Sequence, residues 1–447
     1  MVSSPLSVEE PIIKPHISPL GECHNYIFHF SLFHFSLKMS TFYPFARPLY
    51  VMAKAAGPLC NLRCQYCYYL EKQHLVNSKS GIQNSKNWGM SDSLLESYVR
   101  DYIQLQQTPE VLFTWHGGEP MLRPLSFYKQ AVSYQRYYGR GKRISNSIQT
   151  NGTLLTPEWC QFLHDEGWLV GLSIDGTQEM HDAYRMDAKG EGTWQRVMDA
   201  IRMLQDYGVE WNAMATVNHA NVSKPLDFYR FFRDELHCQF LQLSPVVERI
   251  HKHSDGRHLA QLFDEDCPIA SFSVKPAEWG KFLCDIFDEW VRHDVGEMFV
   301  NVFDAALAGW MGVAPGICVY AEECGHAVVM EHNGDVYSCD HFVFPQYKLG
   351  NILTDGLPQM VYGEKQTAFS QLKKESLPRQ CRVCEWLKAC HGECPRLRFL
   401  HTADGEPGLN YLCAGYKIFF QHVAPYMDFM RQELLSGRPA SGVMQGL

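Results

Sequence analysis

Short apolar segments alternate with longer amphipathic ones from about residue 48, and this rhythm allows few folds. The apolar segments are 48–55, 111–117, 146–152, 168–175, 211–218 and 240–246. Helical periodicity is found near 91–107, 125–138, 157–166, 193–207 and 223–236. Strands that alternate with helices pair in parallel. The pattern therefore predicts an α/β fold, a partial parallel (β/α)6 TIM-like barrel.

Glycine follows the end of three predicted strands. The pairs are Gly117–Gly118, Asn151–Gly152 and Asp175–Gly176. Ligands of parallel barrels bind at the carboxyl ends of the strands. We expect the functional site at this edge.

The alternation ends after about residue 250. A His-rich segment, ERIHKHSDGRH, leads to a predicted helix at 278–292 and then to a cysteine-rich region. We place a domain boundary between 295 and 315, with a barrel domain at 46–295, a second domain at 300–430 and a flexible tail at 431–447. Residues 1–45 are expected to be a disordered or mis-assigned leader, since Met39 begins a plausible true start, MSTFYPFARPLYV.

Sixteen cysteines are clustered rather than spread. Three lie near position 60 and eight fall between Cys318 and Cys413, while Cys23, Cys160, Cys238, Cys267 and Cys284 are isolated. In a long chain without a cleavable signal peptide, such clusters favour metal or iron–sulfur ligation over disulfides. The net charge of −9 argues against nucleic-acid binding. No apolar run reaches the roughly 18 residues of a membrane span.

The first cluster, GPLCNLRCQYC, has the spacing C-x3-C-x2-C at Cys60, Cys64 and Cys67. Three thiolates can hold three irons of a [4Fe–4S] cluster and leave the fourth iron open for an outside ligand. S-adenosylmethionine (SAM) can fill that position through its amine and carboxylate. The alternative is a zinc site, although zinc usually takes two C-x2-C pairs.

This spacing is the hallmark of the radical SAM superfamily, and the resemblance continues at the GGEP sequence of residues 117–120. In that superfamily the cluster and SAM generate a 5′-deoxyadenosyl radical. The resemblance implies SAM contacts from Tyr66, Gly118, Ser173, Arg185 and Val247.

The eight C-terminal cysteines resemble the SPASM domain of peptide-modifying radical SAM enzymes. That resemblance implies two auxiliary [4Fe–4S] clusters, for three in all. The first would bind Cys318, Cys324, Cys339 and Cys394, and the second Cys381, Cys384, Cys390 and Cys413. A zinc ribbon built on Cys381 and Cys384 is the alternative.

The closest resemblance is to the anaerobic sulfatase-maturating enzymes, through runs such as QTNGTLL, NGDVYSCDHFV and YLCAGYKIFF. These enzymes oxidise a Cys or Ser in a sulfatase C/S-x-P-x-R sequence to Cα-formylglycine. The resemblance implies hydrogen abstraction by the radical, proton removal by Asp340, and electron loss to the auxiliary clusters. It also implies substrate contacts from Tyr69 and Gln149, whereas His116 stands where some relatives carry Gln.

We expect a sulfatase polypeptide as substrate, a flavodoxin- or ferredoxin-type electron donor, a monomer and a reducing cytoplasm. The sequence leaves Cys-type or Ser-type specificity open. A thioether- or crosslink-forming SPASM maturase is one alternative, and a non-enzymatic iron–sulfur electron carrier is another.

Overall fold

The six predicted barrel strands are all present and lie side by side. The computed structural model describes residues 49–72, 89–251, 259, 260, 264 and 266–446. The barrel strands, including a short seventh that the sequence pattern did not predict, are β1 (Tyr50–Lys54), β2 (Glu110–His116), β3 (Arg143–Thr150), β4 (Leu169–Ser173), β5 (Trp211–Val217), β6 (Phe240–Pro245) and β7 (Phe299–Val300). Each pairs in parallel with the next. The predicted α/β fold is confirmed.

Helices connect these strands. They are α1 (Asp92–Leu105), α2 (Leu125–Tyr138), α3 (Pro157–Asp165), α4 (Gln178–Asp182), α5 (Trp194–Asp206), α6 (Pro225–Arg230), α7 (Pro276–His293) and α8 (Asn301–Met311). Local chemistry sets where some of them begin: Ser91 and Thr156 accept hydrogen bonds from the backbone N–H groups of Leu94 and Trp159. Their apolar faces pack on the sheet, as the periodicity predicted.

The C-terminal part of the chain extends the same sheet. Its strands are β8 (Ala327–Glu331), β9 (Asp335–Tyr337) and β10 (Lys348–Asn351), with a separate β11 (Leu400–His401) and β12 (Pro407–Leu409) pair. Its helices are α9 (Leu357–Tyr362), α10 (Glu364–Glu375), α11 (Arg379–Arg382), α12 (Leu387–Cys390) and α13 (Cys413–Leu435). Strand β8 pairs in parallel with β1, which opposes Lys54 to Glu331. Among the described residues, the strands thus form a ten-stranded sheet in the order β10-β9-β8-β1-β2-β3-β4-β5-β6-β7.

Helix α13 returns to the barrel and packs on α7. The backbones meet at two glycines, since a Cβ on Gly415 would collide with the carbonyl oxygen of Pro276 and one on Gly280 would approach Gly415. The flexible tail predicted from residue 431 is wrong for its described part. Helix α13 continues to Leu435, and a 3₁₀ turn at Ala440–Gln445 follows because Ala440 and Val443 find apolar neighbours and are buried.

Two predictions concern the N-terminal leader and membrane spans. The predicted leader at 1–45 and the start at Met39 lie outside the described residues. In the part of the chain that is described, no helix combines the length and the apolar character needed to cross a membrane.

Candidate active site

The loop after β1 carries the first three thiols. Backbone N–H groups of Arg63 and Gln65 donate to the carbonyls of Met186 (2.7 Å) and Tyr184 (3.1 Å), which fixes the loop across the barrel mouth. Cys60, Cys64 and Cys67 are free and half-buried. Burial raises the pKa of Cys60, and the nearby thiolates of Cys64 and Cys67 raise it further. The three thiols therefore belong to one short loop and interact electrostatically.

The GGEP loop after β2 lies directly against this thiol loop. The Gly118 N–H donates to the Gly57 carbonyl (2.8 Å), and the Glu119 N–H donates to that of Leu59 (2.7 Å). A Cβ at Gly118 would collide with the Leu59 carbonyl oxygen. Glycine is required here because two backbones touch.

Glu119 ties the ends of β2 and β3 together. Its buried carboxylate accepts hydrogen bonds from the Met121 N–H (2.9 Å), the Asn151 N–H (2.9 Å) and the Thr150 hydroxyl (2.8 Å). Burial raises the pKa of this carboxyl to about 7 despite those donors. The Asn151 amide in turn lies 3.8 Å from the Cys60 sulfur. Gly118 and the thiol loop are thus held as one unit.

Tyr66 and Arg185 meet at a buried carboxylate that sequence reasoning missed. Asp175, just beyond β4, forms an ion pair with Arg185 Nε (3.0 Å) and accepts a hydrogen bond from the Tyr66 hydroxyl. Burial opposes ionisation of Asp175, but Arg185, His181 and the Tyr66 hydroxyl together lower the pKa of that carboxyl. The guanidinium also acts on the thiols of Cys64 and Cys67, whose pKa it lowers against the larger effect of burial. A cation therefore stands beside the thiol loop.

The remaining predicted SAM contacts lie apart from this group. Ser173 Oγ accepts a hydrogen bond from Gln149 Nε2 (3.1 Å). Ser173 is a predicted SAM contact and Gln149 a predicted substrate contact, so the two predicted sites are adjacent. Val247 is buried in the main core, whereas its neighbour Val246 packs in a separate cluster with Tyr66. The structure places Val246, rather than Val247, beside the ring of Tyr66.

Asp340 reaches the barrel although it belongs to the C-terminal part of the chain. Its Oδ1 pairs with Lys54 Nζ (2.6 Å), and its Oδ2 accepts a hydrogen bond from the Tyr68 hydroxyl (2.6 Å). The Lys54 ammonium is 1% exposed, lies 3.2 Å from His116 Nδ1, and stands 4.1 Å above the ring centre of Tyr69. Tyr69, the predicted substrate contact, and Asp340, the predicted base, therefore both contact Lys54.

The charge balance at Asp340 favours the carboxylate. Burial would raise the pKa of Asp340, but Lys54, through its charge and its hydrogen bond, lowers it together with His116 and His341, and the net shift is downward. Burial lowers the pKa of His116 to about 4, so this imidazole is neutral near pH 7. Lys54 is then the main cation at the carboxylate.

The eight C-terminal thiols form two groups. Burial raises the pKa of Cys339, and the thiolates of Cys318 and Cys394 raise it further. Burial also raises the pKa of Cys324, and the nearby Cys318 raises it by a smaller amount. The other four line one pocket with about 410 Å³ of empty space, and they are Cys381, Cys384, Cys390 and Cys413. These are the two sets that the SPASM resemblance implied.

The thiol groups can be compared with the ligands of a single metal ion. Within residues 49–72, 89–251, 259, 260, 264 and 266–446, no three His, Cys, Asp or Glu side chains lie close enough together to hold one metal ion. Zinc binds its thiolates at about 2.3 Å. A four-iron cluster binds each thiolate through a different iron and leaves the sulfurs farther apart. Sets of three and of four thiols are the ligand numbers that a [4Fe–4S] cluster takes, with and without an open iron.

Comparison with known proteins places the chain in a family. The family model described as "Radical SAM superfamily" matches residues 56–232, and that described as "Iron-sulfur cluster-binding domain" matches residues 318–385. A serine-type anaerobic sulfatase-maturating enzyme of Bacteroides thetaiotaomicron is 56% identical over 412 residues, 92% of this chain and 98% of that enzyme. The chain belongs to the anaerobic sulfatase-maturating enzymes.

Other members of this family are more distant in sequence but similar in structure. A cysteine-type anaerobic sulfatase-maturating enzyme of Clostridium perfringens is 31% identical over 382 residues, 85% of this chain and 97% of that enzyme. The structure of native anSMEcpe with bound AdoMet aligns with a TM-score of 0.73 at 30% identity, covering 86% of this chain and all 100% of that one. A second anSMEcpe structure, with bound AdoMet and Cp18Cys peptide, gives 0.74 at 28% identity over 87% of this chain and 100% of that one. The predicted family is confirmed.

Three residues of the site were not predicted from sequence. Asp175 had a signal, because it ends β4 in the run GLSIDG and precedes glycine at the ligand edge. Tyr68 follows the last cysteine of the triplet directly. Lys54 had no comparable signal, since a lysine at a strand end is usually exposed.

The contact at Gly118 yields a test of how this sulfatase-maturating site is held together. Gly118→Ala would force the GGEP loop away from Leu59, and overpacking of this kind costs about 1–3 kcal/mol. We expect SAM affinity of the reconstituted enzyme to fall by about ten- to a hundred-fold, measured by equilibrium dialysis. Gly442→Ala is the control, because its Cβ would approach only the movable end of the Glu433 side chain. Wild-type affinity in Gly118→Ala would contradict the contact.

Proposed function

We propose that this chain converts a Ser or Cys side chain in a sulfatase polypeptide to Cα-formylglycine. The observation that carries the proposal is the position of Asp340. Its carboxylate is 17% exposed, pairs with Lys54 at the end of β1, and lies at the barrel mouth beside the thiol loop. A general base must lie within hydrogen-bond reach of the proton it removes, and this carboxylate faces the end of the barrel where the radical chemistry of the family begins.

The donor sets assign the cofactors. Cys60, Cys64 and Cys67 would hold one [4Fe–4S] cluster with an open iron, and the two C-terminal sets would hold one cluster each. Gly118, Ser173, Arg185 and Tyr66 would contact SAM, and the buried guanidinium of Arg185 suits a carboxylate. When bound, these groups supply a radical that removes a hydrogen atom from the substrate Cβ and an acceptor for one electron.

Asp340 supplies the proton acceptor. Removal of hydrogen from Cβ makes the attached hydroxyl or thiol more acidic. The lowered pKa of Asp340 keeps this group ionised, so that it is free to accept the proton, and loss of the electron from the substrate radical draws the proton transfer to completion. Lys54 holds Oδ1, and Tyr68 holds Oδ2, so the carboxylate keeps one orientation. The proton passes to a carboxylate oxygen, and the aldehyde forms once the hydrogen atom, the proton and one electron have left the serine. The same losses from cysteine give a thioaldehyde, in which water then replaces the sulfur, and the sulfur leaves as hydrogen sulfide.

Three further assignments complete the proposal. The barrel domain is 46–295 and the auxiliary-cluster domain begins at about 300. A flavodoxin- or ferredoxin-type protein supplies electrons to a monomeric enzyme in a reducing cytoplasm. Serine is the first substrate to test, because the serine-type relative is 56% identical and the cysteine-type relative 31%.

The direct test uses matched peptides. The full chain, reconstituted anaerobically with iron, sulfide, dithionite and SAM, is incubated with S-x-P-x-R, C-x-P-x-R and A-x-P-x-R peptides. We expect a mass loss of about 2 Da from Ser or about 18 Da from Cys, and none from Ala. SAM cleavage with no mass change in either reactive peptide would overturn the proposal.

Replacement of the base separates proton removal from radical formation. In Asp340→Asn we expect 5′-deoxyadenosine to form while formylglycine falls by about 10²- to 10⁴-fold, the usual contribution of a general base. Both products are measured by chromatography and mass spectrometry. Asp335→Asn is the control, since Asp335 also pairs with a lysine, Lys348 (2.5 Å), but lies on β9 away from the thiol loop. Undiminished formylglycine from Asp340→Asn would remove Asp340 from this role.

A further inference from the structure

A second buried lysine lies beside the thiols of the C-terminal domain. Lys373, on α10, is 0% exposed. Its Nζ donates to the carbonyl oxygens of Cys318 (2.6 Å), Val319 (2.9 Å) and Ala321. The side chain therefore closes the turn that begins at Cys318.

The number of acceptors fixes the charge of Lys373. A protonated ammonium has three N–H donors, whereas a neutral amine has two. Burial lowers the pKa of Lys373, but three carbonyl oxygens around one nitrogen match the three donors of the ammonium rather than the two of the amine. Carbonyl dipoles satisfy its hydrogen bonds but do not neutralise it, so a full positive charge lies inside the domain.

The hydrogen bonds of Nζ to the turn at Cys318 place that charge beside the first thiol group. The thiols that interact electrostatically with Lys373 are Cys318, Cys324 and Cys394, all from the first set. Arg398 stands between the groups, since it acts on Cys381 and Cys390 as well as Cys394. Glu393, buried and hydrogen-bonded to Asn410 (2.6 Å), also faces both.

We propose that Lys373 is a positioning residue that fixes the turn at Cys318 and raises the reduction potential of the iron–sulfur cluster held by Cys318, Cys324, Cys339 and Cys394. The inference rests on the proposed function for the presence of that cluster. Reduction adds one negative charge to a cluster. A buried cation stabilises the added charge more strongly than a solvated one because the local dielectric constant is low. The cluster nearer Lys373 thus becomes easier to reduce than the same cluster would be without that charge.

The experiment compares two neighbouring lysines in the reconstituted full chain. Lys373→Gln removes the charge but keeps two donors for the carbonyls. Lys374→Gln removes the same charge from the exposed next residue, which pairs with Glu322 at 2.8 Å. Each cluster's potential is read by a redox titration followed by electron paramagnetic resonance, with iron and sulfide content as a separate readout.

We expect Lys373→Gln to lower the potential of one cluster by at least about 59 mV, a tenfold change in a one-electron equilibrium constant. The other two clusters and the Lys374→Gln enzyme should keep wild-type values. Full iron content with all three potentials unchanged in Lys373→Gln would overturn the inference. An equal shift in Lys374→Gln would do the same, because a solvated charge would then act as strongly as the buried one.

If Lys373→Gln loses the cluster, its potential cannot be measured, and a second variant then tests the charge. Lys373→Arg keeps the charge and the donors, so we expect it to restore iron content and potential. Failure of that rescue would overturn the role of the charge. A Cys318→Ala variant distinguishes failure of the proposed function, since undiminished iron in that variant would mean that these thiols hold no cluster at all.

Discussion

The parallel pairing of β1 with β8 is the constraint on which the active site depends. It opposes Lys54 to Glu331 and makes the C-terminal strands a continuation of the barrel sheet. Strand β9 runs antiparallel to β8 and leaves the sheet level with the middle of β1, and the Asp340 side chain still reaches the ammonium of Lys54. A second bridge joins the same parts, because the Tyr69 hydroxyl donates to Glu331. A thiol loop from the barrel and a carboxylate from the C-terminal domain consequently share one site.

The charge of buried Lys54 favours the position of Asp340 beside the end of β1. Lys54 is buried at the end of a strand, and a buried cation is costly unless it is paired. Asp340 supplies the charge, while the ring of Tyr69 and the neutral imidazole of His116 surround the ammonium. Removing one partner of such a pair typically costs about 3–5 kcal/mol. The ion pair therefore has two consequences: it joins the two domains and it presents an oriented anion at the mouth of the barrel.

Much of the fold and part of the site could be predicted from sequence, and the division has a physical reason. Local patterns specify local structure, so the six strands and Gly118 were predicted from periodicity and from glycine at a strand end. The pairing of β8 with β1 depends on contacts between distant segments, and the sequence pattern carries no sign of it. Lys54 was missed for the same reason, since its partner lies in another domain. The tail was predicted to be flexible, yet Ala440 and Val443 are buried, because their apolar neighbours lie in distant parts of the chain.

The central claim is that Lys54 acts through Asp340. The most direct measurement is a double-mutant cycle on formylglycine formed per 5′-deoxyadenosine, using Lys54→Met, Asp340→Asn and both together. The account predicts that Lys54→Met lowers this ratio while SAM is still cleaved. It also predicts that adding Lys54→Met to Asp340→Asn lowers the ratio no further. A wild-type ratio in Lys54→Met would contradict the account. So would a double variant whose loss equals the product of the losses in Lys54→Met and Asp340→Asn, because the two residues would then act independently.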